Sequence, residues 1–231
     1  MKLSADIFEA ALEGDFSGLR SAPKADLHAH AMLSAPFEIY EKIKRRTLIK
    51  PPLRFARYDD FFTYIHEVIL PLPNVESRAT VLAAALDRMI SDGVTYTEIS
   101  FDCQLSRSSG ASWESLVSMF REVISRTSSD ILVAPELGVS RECREREWRE
   151  EIELAISTDF FKKVDFYGPE KSGPLSGVKW CIELARANGL AIKAHIGEDA
   201  SSPYVEQDLK AAEPVAVQHG IACLEHPATI K

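Results

Sequence analysis

The sequence predicts an α/β protein of the (β/α)8 type, a TIM-type barrel that is incomplete, with about six βα units present. Short apolar strands alternate with longer helical patterns, which is typical of parallel sheets with right-handed crossovers. Polar residues end several of these strands, and a barrel forms its active site at that face. No glycine-rich phosphate loop follows the first strand, which disfavours a dinucleotide-binding sheet. We expect one domain over residues 1–231.

Each predicted element rests on a local pattern. β-branched and aromatic residues mark the strand at 94–101. Gly93 and Gly189 stand where glycine ends a helix, Ser112 is a favourable N-cap, and four prolines interrupt the helical region 36–72. The strands are predicted at residues 26–31, 94–101, 131–139, 163–168, 190–195 and 215–219. The helices are predicted at residues 4–13, 75–92, 112–127, 141–158, 174–188 and 203–212.

Composition excludes several classes of function. The net charge of −8 disfavours binding to nucleic acid polymers or anionic membranes. No apolar run approaches the length of a membrane span, and the N-terminus lacks the apolar core of a signal peptide. The four cysteines are scattered and form no C-x-x-C motif, so we expect reduced thiols. These features predict a cytoplasmic protein.

Three histidines at strand ends indicate a metal site. His28 and His30 are two residues apart on one strand, so their side chains point to the same face. His195 ends another strand and can supply a third imidazole to the same ion, as catalytic zinc sites require. Each histidine alone is also compatible with an ordinary polar residue at a strand end. Their recurrence across separate strands favours the metal site.

Two further residues are candidates for proton transfer. Glu198 follows His195 by three residues, and Gly197 between them permits a sharp turn that would bring the carboxylate over the site. An acidic helix start is the alternative reading of Glu198. His219 ends the sixth strand and is a candidate to orient the attacking water.

Four segments together resemble the adenosine deaminase family of the metal-dependent amidohydrolases. The first strand, PKADLHAH at residues 23–30, is similar to that family's opening strand. The segments at 93–99, 194–198 and 218–220 (GVTYTEI, AHIGE and QHG) resemble its later motifs in the same order. The resemblance covers residues 23–226, nearly the whole chain.

The resemblance implies roles for these residues. His28, His30 and His195 would bind one zinc ion per chain. Glu198 would protonate the purine ring nitrogen and His219 would help to activate water, so that ammonia is released from an aminopurine. Gly168, through its backbone, and His30 would contact this small-molecule substrate.

The chain departs from the family pattern at three places. Met32 stands where the family carries a sugar-contacting aspartate, and Ser100 and Phe101 replace an Arg-Tyr pair. The family's metal-binding aspartate lies on an eighth strand, beyond the six predicted here, so we expect a barrel truncated at its C-terminal end. Exposed edges of such a sheet would favour self-association. A basic run at residues 42–54 is typical of a solvated helix end and loop, and it also permits the hypothesis that a phosphorylated or acidic aminopurine is preferred.

Two alternatives to aminopurine deamination remain open. The same site could hydrolyse a cyclic amide. The chain could also be a catalytically silent binding or assembly module, because the eighth-strand aspartate is absent.

Overall fold

The computed structural model describes residues 5–225, and here six strands form one parallel sheet in sequence order. Each strand pairs with the next along the chain. The strands are β1 Lys24–His30, β2 Val94–Asp102, β3 Leu132–Ser140, β4 Lys163–Tyr167, β5 Ala191–Ile196 and β6 Ala216–His219. This order of parallel strands confirms the incomplete TIM-type barrel.

Helices connect the strands. They are α1 Ala5–Leu12, α2 Ser17–Ser21, α3 Phe37–Lys44, α4 Tyr58–Tyr64, α5 Val75–Ser91, α6 Leu105–Ser109, α7 Trp113–Ser125, α8 Glu145–Ser157, α9 Lys179–Ala187 and α10 Val205–Ala212. The short helices α2 and α6 were not predicted, and α9 begins later than expected because a 3₁₀ turn at Leu175–Val178 precedes it. The first residue of the helix predicted at 4–13 lies outside the described part of the chain. One π-helical turn, Ile65–Ile69, extends α4.

The sheet curves until its two ends meet through side chains. Nε2 of Gln218 in β6 donates a hydrogen bond of 2.8 Å to the carbonyl oxygen of Leu27 in β1. Lys193 in β5 donates to the same carbonyl. Among the strands that the structure describes, β1 and β6 share no backbone ladder. The barrel is therefore nearly closed, with interior side chains bridging the gap.

Strand alternation separates an outer apolar layer from a polar interior. In β2, Ile99 and Phe101 are buried among the helices, and the ring of Phe101 lies 4.5 Å from that of Phe120 in α7. The intervening residue Ser100 and its neighbour Asp102 face the barrel interior instead, where both line a cavity. The apolar layer thus stabilises the barrel, and the inward face remains available for polar groups.

Large apolar side chains are exposed on both outer strands. Leu27 of β1 and Val217 of β6 are exposed, as are Val215, Ile221 and Leu224 around β6. Self-association through these edges stays a prediction. No helix in residues 5–225 is both long and apolar enough to cross a membrane.

Candidate active site

Four histidine rings converge at the carboxyl ends of the strands. His28 and His30 lie on β1, His195 near the end of β5, and His219 at the end of β6. The ring centroid of His28 lies 4.7 Å from those of both His195 and His219, and that of His30 lies 5.3 Å from that of His195. The fold therefore brings the three predicted metal ligands next to His219.

Glu198 reaches this cluster because the chain turns sharply after β5. Gly197 has a φ of +70°, and a Cβ there would lie 3.0 Å from the backbone nitrogen of Ala222, so the turn requires glycine. The Glu198 carboxylate then lies 3.5 Å from Nε2 of His219 and 3.8 Å from Nδ1 of His195. A carboxylate and an imidazole at this separation can exchange a proton with one substrate.

A second glutamate anchors the same turn. Both carboxylate oxygens of the buried Glu170 accept backbone hydrogen bonds of 2.8 Å, one from Gly197 and one from Asp199. These contacts hold the backbone on either side of Glu198. The sequence did not reveal this role, because the groups that Glu170 binds lie 27 and 29 residues away.

Two other charged residues that the sequence analysis did not select meet at His195. Oδ2 of Asp165, in β4, lies 3.3 Å from Nε2 of His195. Arg141 donates a hydrogen bond of 2.9 Å to the backbone carbonyl of His195 and forms a fully buried ion pair with Asp208 at 3.0 Å. The sequence did contain a signal for the contact of Asp165. Its carboxylate lies between the apolar residues Val164 and Phe166 of a predicted buried strand, and a buried charge needs a partner.

The electrostatics of the cluster favour neutral imidazoles on β1. Burial and repulsion from His195 lower the pKa of His28 to about 3 and that of His30 to about 4. Burial also opposes protonation of His195, but the hydrogen bond to Asp165 and the nearby carboxylate of Glu198 outweigh burial and raise the pKa of His195 to about 9. His28 and His30 are therefore neutral at pH 7, which is the form of imidazole that binds a metal ion.

The cluster offers donor atoms that suit a zinc-class ion. Donor atoms of His28, His195 and His219 lie within 4.8 Å of one another, and so do those of His30, Asp165 and His195. Oδ1 of Asp165 is buried and has no hydrogen-bond partner, so an anionic oxygen is free for a ligand. Imidazole nitrogen and carboxylate oxygen are common zinc ligands. The predicted ligands His28 and His30 thus fall in two groups that share His195.

A cavity of about 470 Å³ opens over the histidines, which is a size suited to a small ligand. Gly168 and His30, both predicted to contact substrate, lie in its lining. The apolar wall consists of Met32, Leu33, Phe61, Phe62, Ile65 and Leu70. The polar wall consists of Ser100, Asp102, Gln104, Ser140, Glu142 and Tyr167. The Tyr167 hydroxyl donates to the Asp102 carboxylate, whose pKa burial raises.

The charge of the cavity lining is acidic. Its carboxylates are Asp102, Glu142 and Glu198, and no lysine or arginine of the described chain is among the lining residues. The lysines and arginines of the basic run at 42–54 are therefore not part of the cavity lining. Lys44 of that run instead donates to the backbone carbonyl of Val68.

A buried layer of charges lies in the barrel interior. Glu98 belongs to this layer, in the middle of β2, and not to the cavity lining. Nζ of Lys193 lies 2.9 Å from Glu98 and 3.0 Å from Glu136, and Lys163 also binds Glu98. Burial opposes ionisation of Glu98, but the hydrogen bonds from Lys163 and Lys193 hold its pKa at about 2. Burial raises the pKa of Glu136 to about 7, against the attraction of Lys193.

Comparison with known proteins gives a consistent result. The profile of the family described as "Adenosine deaminase" matches residues 25–231. An adenine deaminase of Crocosphaera subtropica is 24% identical over 226 residues, covering 92% of this chain and 69% of that protein.

Two solved structures share the fold. The adenine deaminase of Arthrobacter aurescens has a TM-score of 0.73 at 21% identity, covering 87% of this chain. A cog1816 amidohydrolase of Burkhoderia ambifaria with bound Zn has a TM-score of 0.75 at 17% identity, covering 99% of this chain. The chain spans 65% of the length of each of these two.

Proposed function

This chain belongs to the adenosine deaminase family, and we propose that it is a metal-dependent aminohydrolase that deaminates an aminopurine. The observation that carries the proposal is the position of Glu198 and His219, 3.5 Å apart beside the metal-donor groups and at the wall of one cavity. Deamination needs a nucleophilic water, a proton acceptor and a proton donor within reach of one carbon. This arrangement supplies the acceptor and the donor, beside groups that could hold the ion that would make water nucleophilic.

The reaction consumes one water and releases ammonia. Water adds to the amino-bearing carbon, the bond from that carbon to the amino nitrogen breaks, and the ring keeps the oxygen as a carbonyl. His28, His30 and His195 would hold the metal ion. When bound, zinc supplies a Lewis acid that makes water nucleophilic near neutral pH.

His219 and Glu198 move the protons. The pKa of His219 is lowered, chiefly by burial, so its ring is neutral and can accept the proton of the attacking water. Glu198 donates to the ring nitrogen. Burial opposes ionisation of Glu198, but its contacts with a charged His195 and with Tyr58 outweigh burial and lower its pKa. His195 would be neutral as a metal ligand, so its share of this lowering would be lost with the ion bound.

The cavity supports a neutral substrate such as adenine or its nucleoside over a nucleotide. Its lining carries no lysine or arginine to hold a phosphate, and its carboxylates would repel one. Met32 is buried in the apolar wall, where it offers packing for a ring and no hydrogen bond for a sugar. The acidic substrate inferred from the basic run is therefore not part of this proposal.

Release of ammonia from adenine, adenosine and adenosine monophosphate tests the proposal. With zinc supplied, we expect turnover of adenine or adenosine and much less of the monophosphate. Glu198→Gln keeps the size of the side chain but removes the acid, so turnover should fall by about 10²-fold or more. The matched control is Glu183→Gln, an exposed residue of α9 paired only with Lys179.

Three results would contradict this function. Undiminished turnover in Glu198→Gln would remove the proposed acid. Hydrolysis of cyclic amides without deamination would favour the other amidohydrolase reaction. Tight aminopurine binding with no turnover at any zinc concentration would favour a silent binding module.

A further inference from the structure

We infer that Asp165 is a further direct ligand of the metal ion, in addition to the histidines, and that it binds beside His30 and His195. The inference deepens the proposed function only in that it assumes a resident metal ion. Asp165 lies in β4, and the sequence motifs did not indicate that it binds metal. Asp165 is 1% exposed, on an inward-facing position of the strand, with one oxygen toward His195 and the other without a partner.

The distance between Asp165 and His195 suits two ligands of one ion. Charge-assisted hydrogen bonds between nitrogen and oxygen are usually about 2.7–2.9 Å long. Oδ2 of Asp165 and Nε2 of His195 are 3.3 Å apart, although both groups are buried and nothing screens their attraction. Two donors that each lie about 2.0–2.1 Å from a tetrahedral zinc ion are separated by roughly 3.3 Å.

A neutral imidazole binds an ion through only one of its nitrogens, so the ion lies on one side of the His195 ring. Nδ1 of His195 faces His219, and Nε2 faces Asp165. The Nδ1 side carries the exposed His219 and the carboxylate of Glu198, which lies 3.8 Å from Nδ1. The Nε2 side is more buried and includes a carboxylate that offsets the charge of a divalent ion.

Placing the ion on the Nε2 side also leaves the proton-transfer groups free. His219 and Glu198 lie on the opposite side of the His195 ring, at 3.3 Å and 3.8 Å from Nδ1. An ion bound between His195 and His219 would occupy the imidazole that must accept a proton. The buried Oδ1 of Asp165, which has no hydrogen-bond partner, further marks this side as the place for a ligand.

The competing explanation is that Asp165 only orients His195. A carboxylate often accepts a hydrogen bond from the second nitrogen of a metal-bound histidine, and its loss costs about 10–100-fold in metal affinity. In that case the ion would sit at Nδ1. The experiment must therefore separate a ligand from a residue that positions a ligand.

The test measures metal binding rather than turnover. Zinc affinity is measured by competition with a chelator for the wild type, Asp165→Asn and Asp102→Asn. Asp102 is the matched control, because it is a carboxylate of the same cavity that binds Tyr167 and no histidine. We expect Asp165→Asn to lose more than about 100-fold in affinity, beyond the range for a positioning residue, and Asp102→Asn to bind like the wild type.

Asp165→Cys with cobalt(II) in place of zinc gives the decisive readout. A thiolate bonded to cobalt produces a sulfur-to-metal charge-transfer absorption, which a thiol outside the coordination sphere does not. We expect this band in Asp165→Cys and not in the wild type. Circular dichroism reports whether each variant is folded, and Asp165→Glu keeps the ligand type if Asp165→Asn does not fold.

Each outcome decides the inference. Absence of the band in folded, cobalt-bound Asp165→Cys, or wild-type zinc affinity in Asp165→Asn, overturns it and leaves the proposed deaminase intact. Loss of metal in Asp165→Asn in a protein that deaminates nothing supports the inference and refutes the function. A wild-type chain that binds no zinc or cobalt overturns both.

Discussion

Replacing Lys193 tests the buried layer of charges in the barrel interior. The Lys193 side chain is 1% exposed, and its ammonium group lies 2.9 Å from Glu98 and 3.0 Å from Glu136 while also donating to the carbonyl of Leu27. Lys193→Met keeps the length of the stem and removes the charge. Two carboxylates would then face each other across a nearly closed barrel with one ammonium fewer between them.

The expected loss follows from the buried partners. Removing one member of a buried ion pair costs about 3–5 kcal/mol, because a charge is left buried without compensation. For Lys193→Met we expect the lower end of this range. Glu136, whose pKa burial raises to about 7, can take up a proton at little cost, and Lys163 still binds Glu98. We therefore expect the free energy of unfolding to fall by about 3 kcal/mol, which corresponds to roughly 6–12 °C in Tm for a chain of this size.

Urea unfolding at pH 7, followed by circular dichroism, measures this loss. The matched control is Lys162→Met, whose solvent-exposed ion pair with Asp159 should contribute little to stability. A second variant, Lys193→Met with Glu136→Met, replaces the pair by apolar groups and should recover much of the lost stability. If Lys193→Met were as stable as Lys162→Met, the layer would not hold the two ends of the sheet together.

Two further predictions concern stability. Glu136 binds its proton more tightly in the folded chain, where its pKa is raised from 4.5 to about 7. The stability that this proton contributes is therefore fully present below about pH 4.5 and is lost as the pH rises through 7. The unfolding free energy of the wild type minus that of Glu136→Gln should fall across this window, and a difference that does not change with pH would contradict the shift. Gly93→Ala places a Cβ 2.3 Å from the carbonyl oxygen of Arg20 at a φ of +79°. It should cost clearly more stability than Gly189→Ala, because Gly189 has a similar φ of +72° but no atom within 4 Å of the added Cβ. Equal losses in thermal unfolding would show that the surroundings of Gly93 shift to relieve the clash.

Several features follow from the sequence alone. Alternation of strands and helices predicted the sheet, and the six strands lie within a few residues of their predicted positions, because hydrophobic periodicity and turn residues are local signals. The pair His28 and His30 and the glycine before Glu198 are also local signals. An i, i+2 spacing on a strand places both side chains on the same face. Membership of the family rests on the same motifs in their order.

The tertiary structure decided how the site is completed and what surrounds it. Glu170 braces the turn at Gly197, Arg141 holds the backbone of His195, and Asp165 turns toward the His195 ring. These contacts join residues 27 to 54 positions apart on different strands and loops, and no local pattern encodes such a separation.

The contacts of charged residues also could not be predicted from the sequence. The basic run at 42–54 suggested an anionic substrate, yet none of its lysines and arginines lines the cavity, whose lining carries carboxylates instead. Lys193 and Glu98 look like ordinary polar strand residues in the sequence, and only closure of the sheet buries them against each other. Sequence determines which groups a strand presents to the interior, but curvature of the whole sheet determines which of those groups meet.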